Sequence, residues 1–287
     1  MFLPMDPCLR RDRRREEDAH HLASFQICII EFSAPPLLRR AGRANLVPNT
    51  KCKEGIMIEI RRFSDLGQFE NDWLNAHYHF SFSHYHDPAR MGHGQLRVWN
   101  DDIIKPGTGF PPHGHRDMEI ITYVRTGAIT HKDSMGNTGR TAAGDVQVMS
   151  AGHGVQHSEW NAESEATTLF QLWIQPAEAG GEPSWGAKKF PKTDRADEWA
   201  VLASGHGDAD ALPIRQDAAV LGATLKAGST LDYEVKAGRY GYLVLAAGSV
   251  ELDGEVLNAR DGAAITGAAT VTLKALEDAE IVFVDTI

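Results

Sequence analysis

The 287-residue sequence predicts an all-β protein made of two consecutive units of barrel or sandwich type. Three observations predict it. Short segments alternate between apolar and polar residues, Gly, Asp and Asn turns separate them at roughly 8–12-residue spacing, and composition shifts near the middle of the chain. In chain order, residues 64–74 read as one short helix with Ser64 as its N-cap. Residues 96–100 alternate as a strand, with a turn at Asn100-Asp101-Asp102. Residues 120–124 and 146–149 alternate likewise, and Gly136-Asn137 marks a turn between them. Residues 168–175 form a partly buried strand stopped by Pro176. Residues 178–189 are rich in Gly, Pro and Lys, which suits a surface connection. Small residues such as Ala218, Ala219 and Ala223 dominate afterwards, and strands recur through 281–284. The units are therefore 57–176 and 200–287, joined by 177–199.

The N-terminal segment has a different character. Residues 1–56 carry 10 Lys/Arg and 7 Asp/Glu, leaving 19 and 32 for the remainder of a chain whose net charge is −10. Cys8, Cys28 and Cys52 all lie in this segment and match no zinc spacing. An apolar signal core is missing, and Asp12, Glu16, Glu17 and Asp18 are foreign to a transit peptide. Lys53-Glu54-Gly55 can be encoded by AAGGAGG, a ribosome-binding sequence just upstream of Met57. Residues 1–56 thus read as a non-native or disordered extension, with translation expected from Met57. The acidic body disfavours direct nucleic-acid binding and anionic membranes. With no apolar run long enough for a bilayer and no export signal, the expected location is the cytoplasm.

Two tripeptides carry the chemistry: His113-Gly114-His115 and His157-Ser158-Glu159. Residues i and i+2 of a strand share a face. On neighbouring strands the pair would offer three imidazoles and one carboxylate to a single cation. That donor set suits Fe(II), Cu(II), Ni(II) or Mn(II), and the lack of cysteine weighs against a closed structural zinc site. Polar residues alternating on a solvent face are the plain alternative. Two such dyads flanked by Gly107, Gly109, Gly152 and Gly154, where close backbone approach is expected, argue against it.

Around these residues the chain resembles the cupin superfamily, and within it the pirin family. Gly107, His113-x-His115 and Glu119 follow the first cupin motif. The second is altered: Ser150 replaces proline after Gly144, and Ala151-Gly152 precede His157 by a longer stretch than usual. This alteration, PGTGFPPHGHRDMEIITYV over 106–124 and HKDSMGNTG over 131–139 are of pirin form. The resemblance covers essentially 57–287. It implies an all-β bicupin, two consecutive cupin β-barrels of double-stranded β-helix or jelly-roll type, whose first barrel holds one metal, iron first and copper, nickel or manganese as alternatives, through His113, His115, His157 and Glu159. Glu119 would then serve a hydrogen-bonding role near the ligands.

The remaining candidates are weaker. His77-Tyr78-His79 and His84-Tyr85-His86 share the i, i+2 spacing but read as structural, with His79 able to line the pocket. His131 and His153 read as loop or rim residues, and His93 belongs to no constellation. Phe80, Phe82, Phe110, Trp160 and Trp173 are wall candidates, and alternation puts Leu169, Gln171 and Trp173 on one face. Beyond His157 the only histidine is His206, so the second barrel reads as a scaffold. The resemblance implies a flavonol dioxygenase of the quercetin 2,3-dioxygenase kind, taking a small aromatic substrate and O2, with Glu159 as both ligand and general base. The other reading is a non-enzymatic, metal-containing redox sensor that meets a protein partner, as a transcriptional co-regulator does.

Overall fold

Alternating side chains build four sheets, antiparallel but for one short parallel pair, in the computed structural model, which describes residues 50–53 and 56–287. In the first half, a seven-stranded sheet runs in the order Ser184–Lys188, Val146–Ser150, Glu119–Thr126, Thr167–Ile174, Leu96–Ile104, Leu74–Tyr78, Gly67–Glu70. It faces a four-stranded sheet of Thr108–His115, Val155–Asn161, Ala128–Asp133 and Thr138–Ala142. In the second half, an eight-stranded sheet containing Tyr240–Ala247, Gly262–Thr266 and Ala279–Thr286 faces a four-stranded one containing Thr230–Val235 and Ala269–Ala275.

The two large sheets lie back to back. Trp99, Ile121, Tyr123 and Phe170 of one share a buried apolar cluster with Tyr242, Val244, Val282 and Val284 of the other. Burying such side chains stabilises each by about 1.5–3 kcal/mol. The second barrel is filled by an unbroken apolar core, including Leu243, Leu245, Ile265, Leu273 and Phe283. The first is filled differently. Leu74, Ile104, Val124, Ile129 and Leu169 close one end, and Ile120, Met149, Ala151 and Val155 another. Between them sit buried Thr122, Gln147, His157, Glu159 and Gln171, so this barrel has a polar centre.

Three local expectations are corrected. The segment 64–74 is not a helix: a 3-10 turn at Phe63–Asp65 leads into the strand pair Gly67–Glu70 and Leu74–Tyr78. Asn71 Oδ1 accepts from the backbone N–H groups of Trp73 and Leu74 at 3.0 and 2.8 Å. This Asx turn reverses the chain where a helix is expected. Asn100-Asp101-Asp102 is not a turn but mid-strand, because both acids are buried and Asp101 is held by Arg125 and Arg260. The connection 178–189 contains a strand, Ser184–Lys188, paired with Val146–Ser150.

At the N-terminal side, Ile56–Arg61 joins the second half's large sheet by pairing with Gly262–Thr266. Thr50–Lys53 pairs with it in turn, a strand that composition did not suggest. The expectation for 1–56 otherwise lies outside the described residues. No helix among the described residues is long and apolar enough to cross a membrane.

Candidate metal centre

The site grows from the inner face of the first barrel's four-stranded sheet. Thr108–His115 and Val155–Asn161 pair so that His157 stands opposite His113 and Val155 opposite His115. An irregularity in the ladder between His157 and Glu159 shifts the register there. Directly opposed residues bring their Cβ atoms within about 5.5 Å. The imidazole ring centroids are accordingly 4.4 Å apart for His113 and His157, 4.8 Å for His113 and His115, and 4.9 Å for His115 and His157. One potential ligand atom from each ring lies within 4.8 Å of the others.

A hydrogen bond orients the first of these rings. His113 Nδ1 lies 2.8 Å from the Pro111 carbonyl, so it donates there and leaves Nε2 for a ligand. His157 Nε2 is buried and has no protein partner. Burial lowers the pKa of His115 to about 3, with His113 adding repulsion. Burial likewise lowers that of His157, helped by His113, His115 and His131. Neutral imidazoles are the form that binds metals. An orphaned, buried nitrogen facing two further imidazoles fits a divalent transition metal, and imidazole with carboxylate is its common donor set.

Glu159 is buried, and at the same 4.8 Å limit its carboxylate groups with His157 and His131 rather than with His113 and His115. Oε1 accepts from Gln147 Nε2 at 2.8 Å and Oε2 from Gln171 Nε2 at 2.6 Å. Both amides come from the seven-stranded sheet. Trp173 Nε1–H donates to Gln171 Oε1 at 3.1 Å, and the Trp173 ring meets His115 edge-on at 5.0 Å. The Gln171 and Trp173 face of that strand therefore points into the site.

The structure separates the other candidates. Phe110 lies 6.2 Å from the His113 ring and packs edge-on against Trp73. Phe82 meets Trp173 at 5.3 Å. Phe80 is buried in the core shared by the large sheets. Trp160 is 43% exposed, because it occupies the outward face between Glu159 and Asn161. His79 is fully buried and its Nδ1 lies 2.9 Å from the Tyr242 hydroxyl. It packs between the large sheets rather than lining a pocket. Glu119 is buried, and Oε2 accepts from the Ser150 hydroxyl at 2.6 Å. Its pKa is raised by burial against the opposing pull of that bond and of Arg215. The serine that replaces the usual proline is thus the partner of the displaced carboxylate, and neither touches a ligand imidazole by a hydrogen bond. His84, His86 and His153 are exposed.

Sequence reading missed His131. Far from the rim, it is fully buried on Ala128–Asp133, with Nδ1 3.3 Å from His157 Nδ1 and Nε2 3.0 Å from Asp133 Oδ2. The signal was present: His131-Lys132-Asp133 has the same i, i+2 spacing as the other dyads. Among the flanking glycines, Gly109 and Gly152 make the close approaches, whereas nothing lies within 4 Å of a Cβ built on Gly107. A Cβ on Gly109 would sit 2.2 Å from the Glu159 carbonyl oxygen. Gly109→Ala is therefore expected to displace the His157 strand, costing about 1–3 kcal/mol. Denaturant unfolding and metal uptake, measured together, check this.

A family model described as pirin matches residues 60–174, and one described as a quercetinase C-terminal cupin domain matches 201–286. A pirin-like protein of Caulobacter vibrioides is 62% identical over 230 residues, covering 80% of this chain and 99% of that protein. A quercetin 2,3-dioxygenase of Escherichia coli is 36% identical over 230 residues, covering 80% and 98%. The crystal structure of a bacterial pirin from Escherichia coli in complex with nickel(II) superposes with a TM-score of 0.76 at 35% identity, covering 80% of this chain and 99% of that one.

Proposed function

The chain belongs to the pirin family, with its two-cupin fold, and from that premise we propose that it is a metal-dependent dioxygenase cleaving a flavonol such as quercetin. The observation that carries this reading is the convergence of three imidazoles, one of which, His157, also meets a buried, hydrogen-bonded carboxylate. His113, His115 and His157 hold the metal, with Glu159 as fourth ligand; iron is the first candidate, and copper, nickel and manganese follow. When bound, such a metal supplies positive charge that favours the deprotonated 3-hydroxyl, together with the redox chemistry for O2.

The chain's own residues do the rest. Glu159 accepts the proton from the flavonol 3-hydroxyl at a carboxylate oxygen, acting as general base. Gln147 and Gln171 hold that carboxylate in place from the opposite sheet. Trp173, Phe82 and Phe110 supply aromatic surface beside the imidazoles, which orients a flat ring and excludes water. The partially buried His113 and His115 leave this side open to a substrate. The ring is cleaved with uptake of O2 and release of CO.

The experiment is turnover of quercetin by protein loaded separately with iron, copper, nickel and manganese. At least one form is expected to release CO equimolar with the quercetin consumed. No CO from any metal form would overturn the flavonol reading. A set of captured proteins that changes with the metal's oxidation state would favour the redox-sensing interaction protein instead.

A further inference from the structure

We infer that Asp133 and His131 form a hydrogen-bond relay that sets the tautomer of His157 and so presents its Nε2 to the metal. The inference rests on the metal-site reading above and assigns a positioning role that the ligand set alone does not contain.

The chain of contacts runs in one direction. Asp133 Oδ1 accepts from the backbone N–H groups of Met135 and Asn137 at 3.0 and 2.9 Å. Oδ2 accepts from Asn137 Nδ2 at 2.9 Å. A carboxylate bound by three donors within its own turn is an acceptor, so the 3.0 Å contact with His131 is Nε2–H donating to Oδ2. A neutral His131 ring with its proton on Nε2 offers a lone pair at Nδ1. The facing atom 3.3 Å away is His157 Nδ1, which must then carry the hydrogen. His157 Nε2 is left with its lone pair free, and it is the buried atom without a protein partner. The alternative tautomer of His157 would set two lone pairs against each other and put a hydrogen where the metal belongs.

Packing keeps the relay in register. The His131 ring stacks on Trp185 with centroids 4.8 Å apart and planes 7° from parallel. Gly139 makes room for that indole, since a Cβ there would lie 2.1 Å from the Trp185 ring. Cross-strand pairing places His157 opposite Asp133 and Glu159 opposite His131. A partner that fixes a ligand imidazole's tautomer commonly contributes about 10- to 100-fold to metal affinity.

The test uses the full chain and nickel(II) as probe. Long-range proton–nitrogen spectra of the metal-free protein are expected to show His157 as the Nδ1–H tautomer. His131→Phe keeps a ring against Trp185 but removes the acceptor, and is expected to weaken nickel binding by about 10- to 100-fold. His131→Asn places an amide oxygen near the former Nδ1 and is expected to recover most of that loss. An Nε2–H tautomer at His157, or nickel binding by His131→Phe as tight as wild type, would overturn the relay. Should His131→Phe not fold, the wild-type tautomer decides. Failure of the wild-type chain to bind nickel would overturn the metal-site reading itself, and the relay with it.

Discussion

Glu159→Gln is expected to lower quercetin turnover by about 10²- to 10⁴-fold, the usual contribution of a general base, while nickel affinity falls much less. The surrounding amides explain why the fold should survive. Trp173 Nε1 can only donate, so it fixes Gln171 with Oε1 toward the indole and Nε2 toward position 159. The amide introduced at that position must therefore turn its oxygen to Gln171 and its nitrogen to Gln147. Gln147 can rotate its own amide to accept, because its other partners are the hydroxyls of Thr141, 2.9 Å away, and Thr122, 3.5 Å away, each of which can donate or accept. Every buried polar atom in this group keeps a partner, so the unfolding midpoint should stay near that of the wild type. Steady-state kinetics and nickel titration on the same preparation check the prediction. Unchanged turnover would remove Glu159 as the base, and loss of nickel in proportion to activity would make it a ligand alone.

Asp101→Ala is expected to destabilise the fold by about 3–5 kcal/mol, as breaking a buried ion pair from one side does. Asp101 is fully buried and receives hydrogen bonds from Arg125 of its own sheet and Arg260 of the second half. Both guanidiniums lie over aromatic rings, Arg125 over Phe170 at 4.7 Å and Arg260 over Phe63 at 3.8 Å. Removing the carboxylate strands two cations in this seam between the halves. Asp101→Asn should cost less, since its amide oxygen still accepts from one of them. Denaturant unfolding of both variants measures the difference. A loss under about 1 kcal/mol for Asp101→Ala would mean that the pair behaves like a surface salt bridge.

Asp101 also shows why some of the fold escaped a reading of the chain. Asn-Asp-Asp is turn composition, and nothing local tells it from a strand centre. The deciding partners lie 24 and 159 residues away. Strand alternation then sends Asp102 to the other face. There, burial raises its pKa well above the usual range, with Asp101 and Glu159 adding repulsion. The helix expected over 64–74 failed for a related reason. Ser64 can cap a helix, but Asn71's side-chain oxygen tips the chain into a hairpin.

The order of residues along the chain was enough to specify the family, the all-β class and the convergence of His113, His115 and His157. Those features depend on i, i+2 spacing and motif order, which survive without coordinates. A count of histidines likewise excluded a second histidine-rich centre in the later barrel. Which atoms meet across strands was settled by tertiary packing instead. It drew His131 and Trp185 behind His157 and bound Glu119 to Ser150. It also turned Trp160 to solvent and brought Gln147 and Gln171 onto Glu159 from the opposite sheet. Alternation tells that two residues share a face, but not whether that face is the inner one. That choice belongs to the packing of the sheets, where burial and hydrogen bonding are settled by residues far apart in the chain.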